Sequence, residues 1–332
     1  DVNGDGFSDF GLRISSAYSY VVYGSKTNQS DLVAYDMNAY AIDPIRGYRL
    51  TGLVTAVGDM NNDGIADVVS TNYNSLNGSY AASVYYSNAE GTANTTNVAY
   101  SITGTISNSP MDRVTSMGDV NGDGIADLAV LSSRQVFVVY GQTGTTNVAL
   151  STLSASQGFK IVLPTGSSSY DWISSAGDVN GDGFADVIIG KQNSYVNFAM
   201  VVYGNATGSD VQLNHISGYS SGYNVSDDAI AASQGFKISS PVGGEIGYRV
   251  SNAGDFNGDG LADLIVGGLP TEDGLFGIVL GGTQFVTNAV QGRGAVNGTS
   301  GSEALFGSIA NDTLIGGGGV DRFFAGEGND TI

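Results

Sequence analysis

The stretch Asp119-Val-Asn-Gly-Asp-Gly-Ile-Ala-Asp127 follows the pattern Asp-x-Asn-x-Asp-Gly-x-x-Asp, which occurs five times in the 332-residue chain. A short apolar run bounded by Gly or Ser follows each copy, as in residues 127–131. A Val-Val-Tyr-Gly segment or a variant of it comes next, as in residues 138–141. Short apolar runs of this kind predict buried β-strands. The five copies begin at Asp1, Asp59, Asp119, Asp178 and Asp255. The intervals between their first residues are 58, 60, 59 and 77 residues.

The spacing of the five copies indicates a repeat architecture. A period of about 60 residues is too long for one turn of a solenoid and suits a blade of four β-strands. The order of loop, apolar strand and Val-Val-Tyr-Gly strand is the same in each period. The sequence therefore predicts an all-β fold, a β-propeller built from such blades.

The repeated loop has the composition of a calcium site. Oxygen-bearing side chains stand at positions one, three, five and nine, position seven can add its backbone carbonyl, and the Gly at position six permits a sharp turn. A helical EF-hand is disfavoured, because position twelve would need a bidentate Glu and holds Leu12, Ser70, Val130, Ile189 and Val266. We predict about five calcium ions, bound with dissociation constants on the order of 10⁻⁴ to 10⁻³ M.

The predicted ligands share these loop positions in every copy. They are Asp1, Asn3, Asp5, Phe7 and Asp9; Asp59, Asn61, Asp63, Ile65 and Asp67; Asp119, Asn121, Asp123, Ile125 and Asp127; Asp178, Asn180, Asp182, Phe184 and Asp186; and Asp255, Asn257, Asp259, Leu261 and Asp263.

These loops and strands resemble the FG-GAP repeats of integrin α-subunit propellers and their bacterial relatives. The resemblance covers roughly residues 1 to 290 and implies a propeller domain over residues 1–292. Five loops are visible, and the resemblance implies up to seven blades in the parent protein. A closed five-bladed ring, a longer parent and an open array all remain as alternatives.

The remaining residues, 293–332, have a different pattern, with four consecutive nonapeptides that start at Gly298, Gly307, Gly316 and Ala325. They resemble RTX calcium repeats, Gly-Gly-x-Gly-x-Asp-x-apolar-x. The resemblance implies the start of a parallel β-roll in which two nonapeptides make one turn. It also implies more calcium ligands, at Asp312, Asp321 and Asp330, with Glu303 in the corresponding place of the first nonapeptide.

Composition and charge restrict the partners. The formal net charge of −20 predicts no nucleic-acid partner and, with no long apolar segment, no membrane insertion. Fifteen Asp residues lie in the five loops, so bound calcium would cancel about half of that charge. The chain has no cysteine, and calcium can replace disulfides as a stabilising element. The resemblance to RTX proteins implies a bacterial extracellular protein, secreted or at the cell surface, exported by the type I route.

No group of residues suggests catalysis, and we predict that the chain is not an enzyme. The single histidine, His215, lies in a polar insertion over residues 209–227, where we predict a solvent-exposed loop. The favoured hypothesis is a calcium-stabilised structural or adhesive module of a surface layer, filament or matrix, with possible self-association. The alternatives are a propeller that binds a cell-surface glycan or protein, and an accessory domain of a secreted polysaccharide-active enzyme.

Overall fold

A computed structural model shows how the chain is organised. It describes residues 1–13, 18–24, 47–74, 79–88, 98–106, 114–132, 135–163, 170–191, 198–220, 223–239, 246–268, 276–282, 288–291, 295–298, 303–306, 311–318, 322–324, 329 and 331–332. The chain divides into two units, one of Asp1–Lys160 with Thr207–Ser209 and one of Ile161–Ala206 with Asp210–Ile332.

The strands of the first three repeats follow the predicted order. The first repeat has β1 (Phe10–Arg13), β2 (Tyr18–Val22) and β3 (Gly47–Thr51). The second has β4 (Leu53–Gly58), β5 (Asp67–Asn74), β6 (Ser79–Tyr85) and β7 (Tyr100–Ile106). The third has β8 (Val114–Gly118), β9 (Asp127–Ser132), β10 (Gln135–Val139), β11 (Val148–Ala149), a 3-10 helix (Leu150–Thr152) and β12 (Gly158–Val162).

The strands of the last two repeats lie in the second unit. The fourth repeat has β13 (Tyr170–Gly177), β14 (Asp186–Lys191), β15 (Phe198–Val202), β16 (Val211–Gln212), β17 (Asn214–Ser220), β18 (Tyr223–Ala229) and β19 (Gly235–Ser239). The fifth has β20 (Ile246–Gly254), β21 (Asp263–Gly268) and β22 (Phe276–Val279).

Each repeat forms its own sheet. The strand orders are β1-β2-β3, β4-β5-β6-β7, β8-β9-β10-β12, β13-β14-β15-β19 and β20-β21-β22. The pairings along the second and fourth sheets are antiparallel. Short parallel strands join successive repeats, because β11 pairs with β7 and β16 pairs with the last two residues of β12. The all-β prediction is confirmed, and these small sheets are consistent with propeller blades.

In four repeats the glycine that precedes the loop is paired with the ninth residue of the loop. Gly118, which precedes the loop of the third repeat, is paired with Asp127 at its ninth position, and the ladder is irregular beside this pair. The same pairing occurs in the second, fourth and fifth repeats. Gly118 has φ of 77°, in the left-handed region that glycine adopts without a steric penalty. The loop is therefore the connection between the first two strands of a blade.

The tyrosine of the Val-Val-Tyr-Gly segment packs in the same way in four repeats. Its ring contacts an aromatic ring on the last strand of the same repeat, with centroids 6.0–6.3 Å apart, in the tilted or edge-on arrangement that such rings prefer. The pairs are Tyr23 with Tyr48, Tyr86 with Tyr100, Tyr140 with Phe159, and Tyr203 with Phe236. The recurrent tyrosines are thus packing residues.

The insertion in the fourth repeat is a β-hairpin. Strand β17 pairs with β18 in an antiparallel register in which Asn214 is opposite Ala229 and Ser220 is opposite Tyr223. The prediction that His215 lies in a loop was wrong, since it belongs to β17. The two strands are mainly polar and contain no continuous apolar run, which is why the sequence did not reveal them.

The nonapeptide region forms two parallel sheets. Its strands are β24 (Ala295–Asn297), β25 (Glu303–Phe306), β26 (Thr313–Ile315) and β27 (Arg322–Phe324), and they are joined by β23 (Asn288–Gln291), which precedes the region. One sheet has the order β23-β25-β27 and the other pairs β24 with β26. The pairs Ala304 with Arg322 and Ala295 with Thr313 are 18 residues apart, so two nonapeptides make one turn. Val296, Leu305 and Leu314 form the buried core between the strands, which confirms the predicted start of a β-roll.

Helices contribute little to this fold. In the part of the chain that the structure describes, the 3-10 turn at Leu150–Thr152 is the only helical element. A helix long and apolar enough to cross a membrane is likewise absent from the described residues.

Candidate metal sites in the repeated loops

The side chains of each loop are held by hydrogen bonds to the loop's own backbone. In the third repeat the carboxylate of Asp119 accepts from the N–H groups of Asp123 (3.1 Å) and Gly124 (2.8 Å). The side-chain oxygen of Asn121 accepts from the N–H of Asp123 (2.9 Å), while its amide donates to the carboxylate of Asp123 (3.0 Å). Asp123 also accepts from the N–H of Ile125 at 2.8 Å. These bonds fix the side chains at positions one, three and five within one turn.

The same five hydrogen bonds occur in the other four loops. The loops therefore share one conformation, as their common sequence requires. The Asn at position three explains part of this uniformity, because an amide can both accept from a backbone N–H and donate to the neighbouring carboxylate. An Asp there would place two carboxylates side by side.

The carboxylate at position nine has a different environment. Asp127 is fully buried, and its two oxygens accept hydrogen bonds of 2.8 Å from the N–H groups of Val120 and Gly141. One bond ties it to the start of its loop and the other to the end of the Val-Val-Tyr-Gly segment. The equivalent pairs of bonds are made by Asp9, Asp67, Asp186 and Asp263. Position nine thus joins three parts of each repeat.

Burial and neighbouring charge both act against ionisation of this carboxylate. The pKa of Asp127 is raised to about 7, chiefly by burial and to a lesser degree by the charges of Asp123 and Asp119, although the two backbone hydrogen bonds act to lower it. Burial likewise raises the pKa of Asp67 to about 7 and that of Asp186 to about 8. A cation in the loop would favour the charged form and oppose this rise.

The donor set of each loop fits calcium by its chemistry. A hard cation takes carboxylate, amide and backbone oxygens in a flexible shell. The loop offers the exposed carboxylate at position five, the exposed or half-buried one at position one, an Asn oxygen, the position-seven carbonyl and the carboxylate at position nine. Each carboxylate oxygen that accepts one N–H keeps a second lone pair for a metal. Within the described residues, no group of three or more Asp, Glu, His or Cys side chains is arranged so that these side chains alone could hold a metal ion. The amide and backbone oxygens are therefore needed to complete a site.

Successive loops are joined to each other by backbone hydrogen bonds. The N–H at position eight donates to the carbonyl oxygen at position one of the preceding loop. This bond links Ala66 to Asp1 (3.0 Å) and Ala126 to Asp59 (2.8 Å) in the first unit, and Ala262 to Asp178 (2.9 Å) in the second. A second bond runs from the N–H of Gln142 to the carbonyl oxygen of Met60, at 2.9 Å. The loops therefore lie at the junctions between repeats.

The predicted ligands of the nonapeptide region are only partly described. Asp312 is buried, and its carbonyl oxygen accepts a hydrogen bond of 2.8 Å from the N–H of Thr331 on the next turn. Glu303 begins strand β25. Asp321 and Asp330, which were predicted as ligands, lie outside the described residues.

The sequence did not reveal that the carboxylate at position nine also accepts hydrogen bonds from two backbone N–H groups. The residue that donates to Asp127 is Gly141, at the end of the segment that was interpreted only as a strand. The recurrence of Tyr-Gly at the end of that segment in three repeats, at Gly24, Gly141 and Gly204, was the available signal. It indicates a backbone contact rather than a side-chain function.

Comparison with known families identifies both kinds of repeat. The FG-GAP-like repeat matches residues 59–130 and 119–189, and the FG-GAP repeat matches residues 171–209 and 247–271. These matches include the loops of the second to fifth repeats. The RTX calcium-binding nonapeptide repeat, in four copies, matches residues 297–332. No curated protein matches the chain.

Proposed function

Because the chain is an FG-GAP repeat protein with RTX calcium-binding nonapeptides at residues 297–332, we propose that it is a calcium-stabilised structural or adhesive module. It would belong to a larger secreted or cell-surface protein and act in a surface layer, filament or matrix. The RTX repeats imply calcium binding, and both repeat families are typical of extracellular proteins. In this proposal the bacterial type I route exports the protein.

The position of the loops carries the proposal. The loops of the second to fifth repeats connect two strands of a blade. In the second, third and fifth repeats the loop also donates to the loop of the preceding repeat, as Ala126 does to Asp59. A cation in such a loop would fix the two strands that the loop connects, and it would also stabilise the contact with the neighbouring repeat. A series of braced junctions resists deformation along the chain, which is what a structural module needs.

The proposed ligands are those of the loop pattern. One calcium per loop would be held by the side chains at positions one, three, five and nine and by the carbonyl oxygen at position seven. Asp312, Asp321 and Asp330 would serve the nonapeptides. Bound calcium supplies positive charge among the carboxylates, and the protein's own residues orient the oxygens and fix the strands.

Thermal unfolding in calcium and in chelator tests the proposal. The wild-type chain is compared with a variant in which position five is neutralised in four loops, Asp63→Asn, Asp123→Asn, Asp182→Asn and Asp259→Asn. A site with 100 times its dissociation constant of free calcium stabilises the fold by about 2.7 kcal/mol. We expect calcium to raise the melting temperature of the wild type by several degrees and to raise that of the variant much less.

The first loop and the nonapeptides are unchanged in this variant, so they provide an internal reference. Any calcium effect that remains in the variant belongs to the first loop, which keeps Asp5, or to residues 297–332. An equal effect of calcium on both proteins would contradict a stabilising role of the FG-GAP loops. Resistance to a protease, measured in the same two buffers, should change in parallel with the melting temperature.

A further inference from the structure

Four of the five loops place an asparagine directly before a glycine, at positions three and four. Asparagine is a thermolabile residue, because the backbone nitrogen of the next residue can attack its side-chain amide. A glycine in that next place has no Cβ atom to hinder the attack. The pairs are Asn3-Gly4, Asn121-Gly122, Asn180-Gly181 and Asn257-Gly258, and the second loop has Asn61-Asn62 instead.

In the third loop the groups that this reaction needs are in contact. The N–H of Gly122, which must lose its proton before the nitrogen can attack, donates a hydrogen bond of 2.6 Å to the carboxylate of Asp119. The side-chain oxygen of Asn121, on which negative charge would develop, accepts one of 2.9 Å from the N–H of Asp123. A positioned carboxylate can accept a proton, and a positioned N–H stabilises a developing oxyanion. The loop therefore holds both kinds of group beside its Asn-Gly pair.

The fourth and fifth loops have the same contacts. In both, the N–H at position four donates to the carboxylate at position one at 2.7 Å, and the position-three oxygen accepts from the N–H at position five at 2.9 Å. The glycine at position four is exposed to solvent in the third, fourth and fifth loops, so water can reach the reacting groups. The glycines are Gly122, Gly181 and Gly258.

We propose that Asn121, Asn180 and Asn257 are sites of spontaneous deamidation when calcium is absent. In the third loop, the nitrogen of Gly122 loses its proton and bonds to the side-chain carbonyl carbon of Asn121. The bond from that carbon to the amide nitrogen breaks, and ammonia departs with the proton, which leaves a cyclic succinimide. Water then adds to either carbonyl carbon of the ring, whose nitrogen leaves that carbon and regains a proton. Position 121 becomes an aspartate or an isoaspartate.

The calcium dependence rests on the proposed function, whereas the reaction itself does not. A cation held by the oxygens at positions one and three would engage the carboxylate that faces the glycine N–H, and it would restrain the asparagine side chain. The loaded loop should therefore react slowly. An isoaspartate adds a carbon to the backbone of the turn and displaces the position-three oxygen. A loop that has reacted in this way would not regain its calcium site.

Peptide mapping by mass spectrometry tests the proposal on the full chain, incubated at mildly alkaline pH in calcium or in chelator. Replacement of the amide NH₂ by OH is read as a mass change, and enzymatic methylation detects isoaspartate. Asn121, Asn180 and Asn257 should be modified several-fold faster in chelator than in calcium. Asn61, which is followed by Asn62, should stay unmodified in both buffers.

Two reciprocal substitutions exchange the attacking residue between loops. Gly122→Asn copies the second loop, where Asn62 has φ of 63°, which shows that this turn accepts a side chain. It should stop modification at Asn121 and leave the fourth and fifth loops reactive. Asn62→Gly copies the third loop and should make Asn61 reactive in chelator. Circular dichroism shows that both variants are folded.

The role of Asp119 has its own variant. Asp119→Asn keeps an oxygen near the N–H of Gly122 but removes the proton acceptor, so it should slow modification at Asn121. The fourth and fifth loops of the same molecule provide the reference rates. An unchanged or faster rate at Asn121 would show that Asp119 does not accept the proton.

The remaining outcomes separate this inference from the proposed function. Absence of modification at the three sites in chelator would overturn the inference, and so would an unreactive Asn61 in Asn62→Gly. Equal rates in the two buffers would overturn the calcium dependence. Calcium binding by freshly prepared, unmodified protein then shows whether the proposed function fails as well.

Discussion

The backbone N–H of Gly141 donates a hydrogen bond of 2.8 Å to the buried carboxylate of Asp127, 14 residues earlier in the chain. The second oxygen of that carboxylate accepts from the N–H of Val120. Both oxygens are therefore engaged within the protein itself. The ninth position of the loop has a structural role that does not need a cation, in addition to its proposed role as a ligand.

Replacing this carboxylate should destabilise the repeat with or without calcium. In Asp127→Asn an amide group would face one of the two backbone N–H donors and leave it unsatisfied in a buried place. The cost of such a group is about 1–3 kcal/mol. We expect a loss of unfolding free energy in chelator, measured by urea denaturation, and a larger loss in calcium, where a proposed ligand is removed as well. A loss confined to the calcium buffer would show that Asp127 acts only as a ligand.

Position five should respond differently. Asp123 is exposed and accepts hydrogen bonds from Ile125 and Asn121. Asp123→Asn keeps an oxygen for the Ile125 N–H and removes one charge, so it should lower the melting temperature in calcium and have little effect in chelator. Asp123→Ala removes both acceptors and should lower it in both buffers. The charge control is Asp210→Asn, at an exposed residue outside the loops.

The melting temperatures of these variants in the two buffers distinguish a ligand role of Asp123 from a role that consists only of hydrogen bonds. If Asp123→Asn lowers the melting temperature equally in calcium and in chelator, the side chain contributes only its hydrogen bonds. If the control substitution reproduces the calcium-specific loss, the effect is one of net charge and the loop has no special affinity.

Only glycine fits at position 158, because the backbone of a neighbouring strand approaches it closely. Gly158 has φ of +146°, and a Cβ atom there would lie 1.9 Å from the carbonyl oxygen of Val138. Gly235 has the same relation to Val201 in the fourth repeat. Backbone strain of this kind costs about 1–3 kcal/mol, so Gly158→Ala should lower the melting temperature by several degrees. At Gly144 an added Cβ meets no described atom within 4 Å, and Gly144→Ala should change stability by about 0.5 kcal/mol or less. Similar melting temperatures for the two variants would contradict this account.

Tyr86 should make the stability of the fold depend on alkaline pH. Its hydroxyl donates within the third repeat, to the carbonyl oxygens of Gln142 and Gly144. Burial, with a smaller contribution from the charge of Asp67, raises the pKa of Tyr86 from 10.0 to about 12. The folded state therefore holds the proton more firmly than the unfolded state, and this contribution to stability is full below pH 10 and is lost as the pH rises through 12.

Tyr86→Phe tests this pH dependence, because phenylalanine has no proton to lose. The variant should be less stable than the wild type at pH 8 by about 1 kcal/mol, the usual value of one hydrogen bond. The difference should narrow between pH 10 and 12, and urea denaturation in chelator measures it. A difference that stays constant over this range would show that the hydroxyl does not titrate as its surroundings indicate.

Much of the fold could be predicted because its information is local. The pattern from Asp119 to Asp127 repeats at a nearly constant spacing, and each copy precedes an apolar run, so blade and strand order follow from periodicity. The 18-residue turn of the nonapeptide region follows from its nine-residue period in the same way. The candidate ligands at positions one, three and five are likewise set by spacing within one turn.

The remaining features depend on contacts between distant parts of the chain. The bond from Gly141 to Asp127 uses a backbone N–H, and a backbone group leaves no signature in residue type. The hairpin of β17 and β18 is built from polar residues whose alternation is not visible as an apolar pattern. The shared core of Met60 and Leu128 likewise joins residues of different repeats, and no local pattern in the sequence predicts that contact.

The most direct measurement is the number of calcium ions bound per chain. Equilibrium dialysis can compare the wild type with the variant that carries Asp63→Asn, Asp123→Asn, Asp182→Asn and Asp259→Asn. The loops should each hold one ion with a dissociation constant on the order of 10⁻⁴ to 10⁻³ M. At free calcium on the order of 10⁻² M, which nearly saturates sites of that affinity, the variant should bind about four ions fewer than the wild type. Equal binding by the two proteins would contradict the central claim that the FG-GAP loops are calcium sites.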